Sequence, residues 1–191
     1  MARPSGFAGP VKPAGTVGLK HHSARIATHC FLLLRAIAQN GPVHYRLYHP
    51  TDFAQFYAIE EICFQPPVRF SRRYLRQIIE GSNSVTWVAD QDGRVAGFSV
   101  AGFTTESDRT FAYIQTIEVT PAHRKQGIGT ELLRRMEQSA RAAGATAIWL
   151  HVDAANDSAI HLYESHGYRH QGRQEHYYDR GRAAEVYLKS L

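Results

Sequence analysis

A short basic stretch with two glycines carries the clearest chemical signature in the sequence. It reads Arg124-Lys125-Gln126-Gly127-Ile128-Gly129 and lies between an apolar, strand-like run and a helical pattern. Glycines let a main chain approach a ligand closely, and the first N–H groups of a helix lack intrahelical partners and favour negative charge. Arg124 and Lys125 add positive charge. The segment therefore predicts a binding site for a phosphate or pyrophosphate.

Two common phosphate sites do not fit this segment. It lacks the Gly-Lys-Ser/Thr ending of a nucleoside-triphosphate loop and the three-glycine fingerprint of a dinucleotide site. It resembles instead the acetyl-CoA loop of the GCN5-related N-acetyltransferase (GNAT) superfamily, in which Arg or Gln is followed by x-x-Gly-x-Gly/Ala. Arg124, Gly127 and Gly129 fill those positions. The resemblance implies that the loop binds acetyl-CoA and that the main chain of Ile117 and Val119 pairs with the pantetheine arm.

A second segment, residues 149–168, resembles another block of the same superfamily. That block is a strand followed by Asn, then Ala-Ile-x-Leu-Tyr, then Gly-Phe/Tyr, and Asn156 and Tyr163 match it here. The resemblance implies that Asn156 contacts the coenzyme arm and that Tyr163 lies near the thioester sulfur, where a phenol can protonate a thiolate. The residues expected to bind acetyl-CoA are Ile117, Val119, Arg124, Lys125, Gln126, Gly127, Ile128, Gly129, Thr130, Asn156 and Tyr163.

His151 is the first candidate for the base that deprotonates the amine. Strand alternation places residues 148, 150 and 152 on one face and His151 on the other. An imidazole with an ordinary pKa of about 6.5 suits this task. RimI-type ribosomal-protein N-terminal acetyltransferases carry a glutamate here. In eukaryotic N-alpha-acetyltransferases acting on Met-started N-termini, however, the strand reads Leu-His-Val and the histidine works with a tyrosine on the preceding strand, as Tyr113 is placed here.

Glu118 is an alternative base, because other branches of the superfamily place a glutamate on the strand before the glycine loop. Simple alternation sets Glu118 on the face opposite Tyr113, but a β-bulge, which the superfamily has in this strand, would reset the parity. A route through ordered water with no single base is the third alternative. The candidate catalytic residues are therefore His151, Tyr113, Tyr163 and Glu118.

Two further segments resemble parts of the acceptor site of protein N-terminal acetyltransferases. Phe64-Gln65-Pro66-Pro67-Val68 resembles a Phe-Pro-Val loop with one extra residue, and His176-Tyr177-Tyr178-Asp179 resembles an Asn-Tyr-Tyr stretch. The resemblance implies that Phe64, Val68, Tyr177 and Tyr178 bind the acceptor. A peptide N-terminal α-amine is favoured, with a small-molecule amine as the alternative and a non-catalytic acyl-CoA-binding module as a further one.

Hydrophobic periodicity and turn residues predict the elements that must position these side chains. Asp52 and Ser71 are predicted helix N-caps. The predicted elements are a strand at 43–48, a helix after Asp52 ended by Gln65-Pro66-Pro67, a helix from Ser71 to Gly81, strands at 85–89, 95–104 and 111–119, a helix from 128 to about 144, a strand at 147–153, a helix at 157–165, and strands near 168–178 and 184–188. This order predicts an α/β domain with the GNAT fold, a mixed, mostly antiparallel sheet with helices on both faces.

Charge and composition predict one such domain at residues 43–191 and a separate extension at 1–42. The extension holds five Lys or Arg residues and no acid, whereas the 17 Lys and Arg residues after it equal the 17 Asp and Glu residues in number. It is expected to be flexible. Two cysteines without metal spacing favour a reduced, cytoplasmic protein with no metal. We expect a monomer or homodimer, acetyl-CoA and an amine as partners, no membrane, and no nucleic acid.

Overall fold

A seven-stranded sheet in the order β1-β2-β3-β4-β5-β7-β6 organises residues 41–66, 68–178 and 181–191, which this computed structural model describes. Only the β4–β5 pair is parallel among these strands. The predicted mixed, mostly antiparallel sheet is therefore confirmed. The strands are β1 (His44–Leu47), β2 (Ser84–Gln91), β3 (Arg94–Glu106), β4 (Arg109–Val119), β5 (Ala145–Asp153), β6 (Arg169–Tyr178) and β7 (Arg182–Ser190).

Two helices cover each face of the sheet, as the sequence predicts. One face packs under α1 (Phe53–Cys63) and α2 (Arg72–Ile79), and the other under α3 (Ile128–Ala142) and α4 (Asp157–Ser165). Short 3-10 turns at Pro50–Asp52 and Pro121–His123 were not predicted. The prediction of an extension at residues 1–42 falls almost entirely outside the described part of the chain and stays a prediction.

The buried stripe of α3 follows the predicted helical spacing. Ile128, Leu132, Leu133, Met136 and Ala140 are all buried, and the helix ends at Ala142, before Gly144 takes a φ of 76°. Burying such a stripe against a sheet is what stabilises a helix of this length. The start of α3, and with it the glycine loop, is therefore fixed to the sheet.

Both predicted N-caps occupy that position, but only one of them makes a capping hydrogen bond. Ser71 caps α2, because its hydroxyl accepts from the N–H of Tyr74 at 3.2 Å. Asp52 makes no cap hydrogen bond to α1. The Asp52 carboxylate has other partners, because it accepts a hydrogen bond from the His49 N–H at 2.8 Å and forms an ion pair with Arg46 at 2.7 Å.

Several strands are longer than predicted because tight turns join them. β2 and β3 meet at Asp92-Gly93, with φ values of 53° and 78°, and β3 and β4 meet at Ser107-Asp108, with φ values of 48° and 63°. Paired positive φ values are typical of two-residue hairpin turns. The first turn lies between the predicted strands at 85–89 and 95–104, whereas the second carries no glycine, and the strands on both sides of it run further than predicted.

A bulge in β4 changes which residues share a face. Val100 pairs with Thr116 but Ala101 pairs with Ile114, so Gln115 is the extra residue. Tyr113 and Glu118 therefore lie on the same face, as the bulge hypothesis requires. β4 also pairs with β5 only as far as Ile114, although it pairs with β3 to Val119. Beyond Ile114 the two strands separate, and the gap between them is where the candidate site lies.

No helix within the described ranges is both long enough and apolar enough to cross a membrane.

Candidate active site

The separation of β4 and β5 opens a cleft of about 430 Å³. Residues 114–117 of β4 form one side and residues 151–153 of β5 the other. The predicted acceptor residues Phe64, Val68 and Tyr178 also line it. Pro67 and Asp179, which belong to the same two predicted segments, lie outside the described residues.

His151 is held in this cleft by two hydrogen bonds. Its Nδ1 lies 3.2 Å from the Tyr113 hydroxyl, and its Nε2 lies 3.1 Å from Oε1 of Gln174 on β6. Burial lowers the pKa of His151 below 6.5, and the bond to Gln174 opposes this only in part. The imidazole is therefore largely neutral at pH 7, which is the form that accepts a proton.

Aromatic rings surround this histidine. The Tyr177 ring stacks on it with centroids 4.2 Å apart and planes at 10°, and Trp149 and Tyr113 contact it edge-on. Burial, with a smaller effect of Tyr177, raises the pKa of Tyr113 far above 10, so this phenol stays protonated. Tyr177 itself is 43% exposed and covers His151 rather than lining the cleft.

Glu118 lies on the same face as Tyr113 but is almost fully buried, at 2% exposure. Its Oε1 accepts from the Thr116 hydroxyl at 3.1 Å. Burial, followed by the nearby Glu60, raises the pKa of Glu118 well above the ordinary value of a glutamate. Glu118 therefore favours its protonated form.

A second cleft of about 600 Å³ lies beside the first. Gly127 lines this cleft at the N-terminus of α3 and has a φ of 79°. A Cβ added at Gly127 would meet no atom within 4 Å. The first main-chain N–H of α3 to donate a hydrogen bond is that of Glu131, and its acceptor is the carbonyl of Gly127. The N–H groups of residues 128–130 are therefore free for an anion.

The basic residues of the loop differ in where their side chains go. Arg124 and Lys125 both line the second cleft. The Arg124 guanidinium turns back to the carbonyl of Val119 at 3.1 Å and to the Cys63 sulfur at 3.6 Å. Gln126 donates to the carbonyl of Ala122 at 3.2 Å and does not line the cleft. Any contact of Gln126 with a ligand would have to come from its main chain.

Asn156 and Tyr163 stand where the two clefts meet, because both residues line both of them. Asn156 caps α4 by accepting from the Ala159 N–H at 3.2 Å, which leaves its amide nitrogen free to donate. Burial raises the pKa of Tyr163 far above 10. Its hydroxyl therefore keeps its proton until a strongly basic group reaches it.

The structure brings most of the predicted site residues together. Ile117, Val119, Ile128, Gly129 and Thr130 also line the second cleft. The residues near the site that were not predicted from the sequence include Gln174, which orients His151, and Glu60 and Cys63 on α1, which line the first cleft.

Glu60 had a signal that was overlooked. It continues the buried spacing of Phe53 and Phe56 on α1 and is 0% exposed, whereas the apolar Ile62 on the same helix is 59% exposed. Among the described residues, no group of three or more His, Cys, Asp or Glu side chains is placed to hold a metal ion.

Comparison with known proteins gives a match to one family model. The model described as the acetyltransferase (GNAT) family matches residues 53–168. Streptothricin acetyltransferase of Streptomyces lavendulae is 38% identical over 107 residues, covering 56% of this chain and 55% of that protein. The ribosomal protein bS18-alanine N-acetyltransferase of Escherichia coli K12 is 29% identical over 99 residues, covering 52% and 64%. The chain thus matches less than two thirds of the length of each relative.

Solved structures share the same architecture. Arabidopsis thaliana Naa50 in complex with the bisubstrate analogue CoA-Ac-MVNAL has a TM-score of 0.68 and 25% sequence identity. The alignment covers 78% of this chain and 99% of that chain.

Proposed function

Because this chain belongs to the acetyltransferase (GNAT) family, we propose that it transfers an acetyl group from acetyl-CoA to a primary amine. The favoured acceptor is the N-terminal α-amine of a peptide or protein. The observation that carries the proposal is the pair of adjoining clefts, one walled by the N-terminus of α3 and the other by His151, with Tyr163 at their junction.

The coenzyme fits the second cleft on chemical grounds. The diphosphate of acetyl-CoA would accept hydrogen bonds from the free N–H groups of residues 128–130 and lie near Arg124 and Lys125. The edge of β4 beyond Ile114, which has no strand partner on the β5 side among the described residues, offers main-chain groups of residues 115–119 to an extended ligand. Acetyl-CoA supplies the activated acetyl group when it is bound there.

The side chains of the first cleft supply proton transfer. The neutral His151 is the final acceptor of the proton that the amine nitrogen loses as the N–C bond forms. Because Nε2 faces the Gln174 oxygen, the lone pair is on Nδ1, and the proton reaches it through the Tyr113 hydroxyl, which passes its own proton to Nδ1 and takes one from the amine or a water. Tyr113 and Gln174 fix the ring at 3.2 Å and 3.1 Å through its two nitrogens. Tyr163 donates its proton to the sulfur as the C–S bond breaks, and its raised pKa favours its taking up a replacement, which balances the proton held by His151. No covalent intermediate on the enzyme is needed.

A peptide acceptor is favoured by the aromatic rim. Tyr177 and Tyr178, at the end of β6, stand beside the cleft, where their hydroxyls can hydrogen-bond a peptide main chain. Phe64 and Val68 give the cleft an apolar surface suited to the first side chain of a peptide. The similarity to the bS18-alanine N-acetyltransferase and to Naa50 supports this acceptor class.

A small-molecule amine is the second candidate, because streptothricin acetyltransferase is among the relatives of this chain. The Asp153 carboxylate in the first cleft pairs with Arg182, which also lines it. This ion pair neutralises the carboxylate that would otherwise attract a polycationic acceptor. The local charge therefore weighs against a polycation, although it does not weigh against a monoamine.

A screen of free thiol release tests the proposal and separates the candidates. The purified chain is incubated with acetyl-CoA and either peptides with varied N-termini or small amines, including streptothricin. We expect thiol release with a subset of peptides and none with N-terminally blocked versions. Release with small amines alone would replace the peptide by the second candidate. Binding of acetyl-CoA without release for any amine would instead indicate a non-catalytic acyl-CoA-binding module.

A further inference from the structure

Gln174 contacts His151 from outside both clefts. Its Oε1 lies 3.1 Å from Nε2 of the His151 ring. Gln174 lines neither the first cleft nor the second, and it is exposed on β6, which is an edge strand of the sheet. A ligand in the first cleft would meet His151 and not Gln174. Any effect of Gln174 on the reaction therefore has to act through the imidazole.

The register of the sheet explains how Gln174 reaches a residue two strands away. His151 pairs with Val186 of β7, and Gln174 of β6 pairs with Ala184, two residues before Val186. Directly paired residues of antiparallel strands share a face, so His151 and Gln174 are on the same face of the sheet. The main chains of β5 and β6 run about 10 Å apart, with β7 between them. Because Ala184 has only a methyl group, both longer side chains can lie over β7 and meet.

The hydrogen bond to Gln174 determines which ring nitrogen of His151 carries the hydrogen. An amide oxygen only accepts, so the ring nitrogen bonded to it, Nε2, must be the N–H nitrogen. In the neutral ring the lone pair is then on Nδ1, which lies 3.2 Å from the Tyr113 hydroxyl. The other tautomer would place a lone pair of Nε2 against the Gln174 oxygen, and two acceptors repel each other. The contact thus directs the basic nitrogen toward Tyr113.

The same contact favours the protonated ring that forms during the reaction. Burial lowers the pKa of His151, and the bond to Gln174 raises it by less. Nε2 keeps its hydrogen in both charge states, and its hydrogen bond becomes stronger when the ring is positive. Gln174 therefore offsets part of the cost of placing a positive charge on a half-buried ring.

We propose that Gln174 is a positioning residue, which fixes the Nε2–H tautomer of His151 and so directs the proton of the acceptor amine onto Nδ1 through Tyr113. The inference rests on the proposed acetyl transfer and extends it to a residue of the edge strand that touches neither substrate.

The protons balance in the step that Gln174 supports. The O–H bond of Tyr113 breaks and an Nδ1–H bond forms, while a proton from the amine replaces the one that Tyr113 gave up. His151 becomes an imidazolium whose Nε2–H still donates to Gln174. The ring later returns one proton to solvent, which balances the proton that Tyr163 takes up after it has protonated the sulfur.

The surroundings of His151 leave Gln174 as the partner of Nε2. Tyr113 and Gln174 are the hydrogen-bond partners of the ring among the described residues. The other titratable or charged groups on the elements around it are Asp153 of β5, Tyr177 and Tyr178 of β6, Arg182 of β7, Glu60 and Cys63 of α1, and Tyr163 of α4. Asp153 and Arg182 pair with each other. A charge introduced at position 174 would therefore act directly on Nε2.

Nitrogen NMR of the full chain, labelled at histidine, tests the tautomer without any acceptor. The signals of His151 are those that His151→Ala removes, and the two neutral tautomers differ in which ring nitrogen keeps its hydrogen. Near pH 7 we expect the Nε2–H form in the wild type. Gln174→Met keeps the length of the side chain but removes the acceptor, so the share of the Nδ1–H form should rise. A wild type in the Nδ1–H form, or no change in Gln174→Met, would overturn the proposal.

The kinetics of two variants at position 174 should differ in kind. With the acceptor found in the thiol-release screen, Gln174→Met should lower kcat about tenfold, the loss typical of one hydrogen bond to a charged group. Gln174→Glu keeps an acceptor and should recover most of kcat on the pH plateau. Its negative charge should raise the pKa of His151 and move the acid limb of the rate up by about half a unit to one unit, since the position is exposed. KM for acetyl-CoA should stay within about twofold in both.

Gln171 provides the matched control on the same strand. It is exposed, and its amide donates to the main-chain carbonyls of Arg169 and His170 instead of the site. Gln171→Met and Gln171→Glu make the same chemical changes and should leave kcat and the acid limb at their wild-type values. A merely structural role of Gln174 would lower activity without moving the limb.

Two kinetic results would overturn the proposal. They are a wild-type kcat in Gln174→Met and an acid limb of Gln174→Glu at the wild-type position. If no amine releases thiol in the screen, the proposed function fails instead, and the tautomer measured by NMR still decides whether Gln174 positions the ring.

Discussion

His151 is the residue on which the proposed chemistry depends most. Its two ring nitrogens are both engaged, by Tyr113 and by Gln174, and burial lowers its pKa. A base that is already neutral at pH 7 and fixed in orientation needs little rearrangement before it accepts a proton. The same geometry makes the role easy to test, because removing the ring need not disturb the coenzyme cleft.

His151→Ala is expected to reduce kcat by roughly 10²–10⁴-fold, the usual contribution of a positioned general base. The affinity for acetyl-CoA should be nearly unchanged, because His151 does not line the second cleft. Steady-state kinetics and calorimetry with acetyl-CoA measure the two quantities. Wild-type turnover in the variant would reject His151 as the base and leave Glu118 or an ordered water in its place.

The pH dependence of kcat gives a second signature of His151. The rate requires the neutral imidazole, and its pKa is lowered, so the rate should rise with pH through a midpoint below 6.5. The His151→Ala variant should lack that acid limb. A limb that persists in the variant would have to come from another group.

At the scale of elements, the glycine loop and the start of α3 determine coenzyme binding. Gly127 and Gly144 form a matched pair, because both have positive φ, 79° and 76°, and a Cβ at either would meet no atom within 4 Å. Alanine at either position should cost about 1–2 kcal/mol of unfolding free energy, because a left-handed conformation disfavours a Cβ. Only Gly127 lines the second cleft.

Gly127→Ala should therefore weaken acetyl-CoA binding by about tenfold or more, which corresponds to about 1.4 kcal/mol. Gly144→Ala should lose similar stability but bind acetyl-CoA as the wild type does. Calorimetric titration of both variants, after denaturant unfolding confirms that they are folded, makes the comparison. Equal affinities in the two variants would contradict a role of the loop in binding.

The contact between α1 and β4 should depend on pH through Glu118. Its pKa is raised in the folded protein, so its contribution to stability is fully present below the ordinary value near 4.3 and is lost as the pH rises through the raised pKa. Glu118→Gln mimics the protonated form and keeps an acceptor for Thr116. The urea midpoint of the wild type should therefore fall more steeply between pH 5 and 9 than that of the variant. Parallel pH profiles would show that Glu118 does not titrate in this range.

At the scale of the whole molecule, local signals account for most of what the sequence predicts. The stripe of α3, the Ser71 cap and the alternation in β5 each depend on residues close together in the chain, and all of them are found in the structure. The loop at Arg124–Gly129 could be predicted for the same reason. The predicted ends of the strands were less accurate, because a strand stops where its pairing with a neighbouring strand stops, and local composition does not show this.

Features that depend on packing could not be predicted. The face of Glu118 depends on the extra residue Gln115, which is visible only in the register with β3. The burial of Glu60 requires α1 to dock over β4, and the clefts require β4 and β5 to separate after Ile114.

The most direct test of acetyl transfer combines two measurements on one reaction. The full chain is incubated with acetyl-CoA and a panel of peptides with free N-termini, and thiol release and peptide mass are followed together. We predict that at least one peptide gains a single acetyl group on its α-amine, with one free thiol released for each peptide modified. Thiol release that never exceeds the rate without an acceptor, and no modified peptide or small amine, would contradict the account.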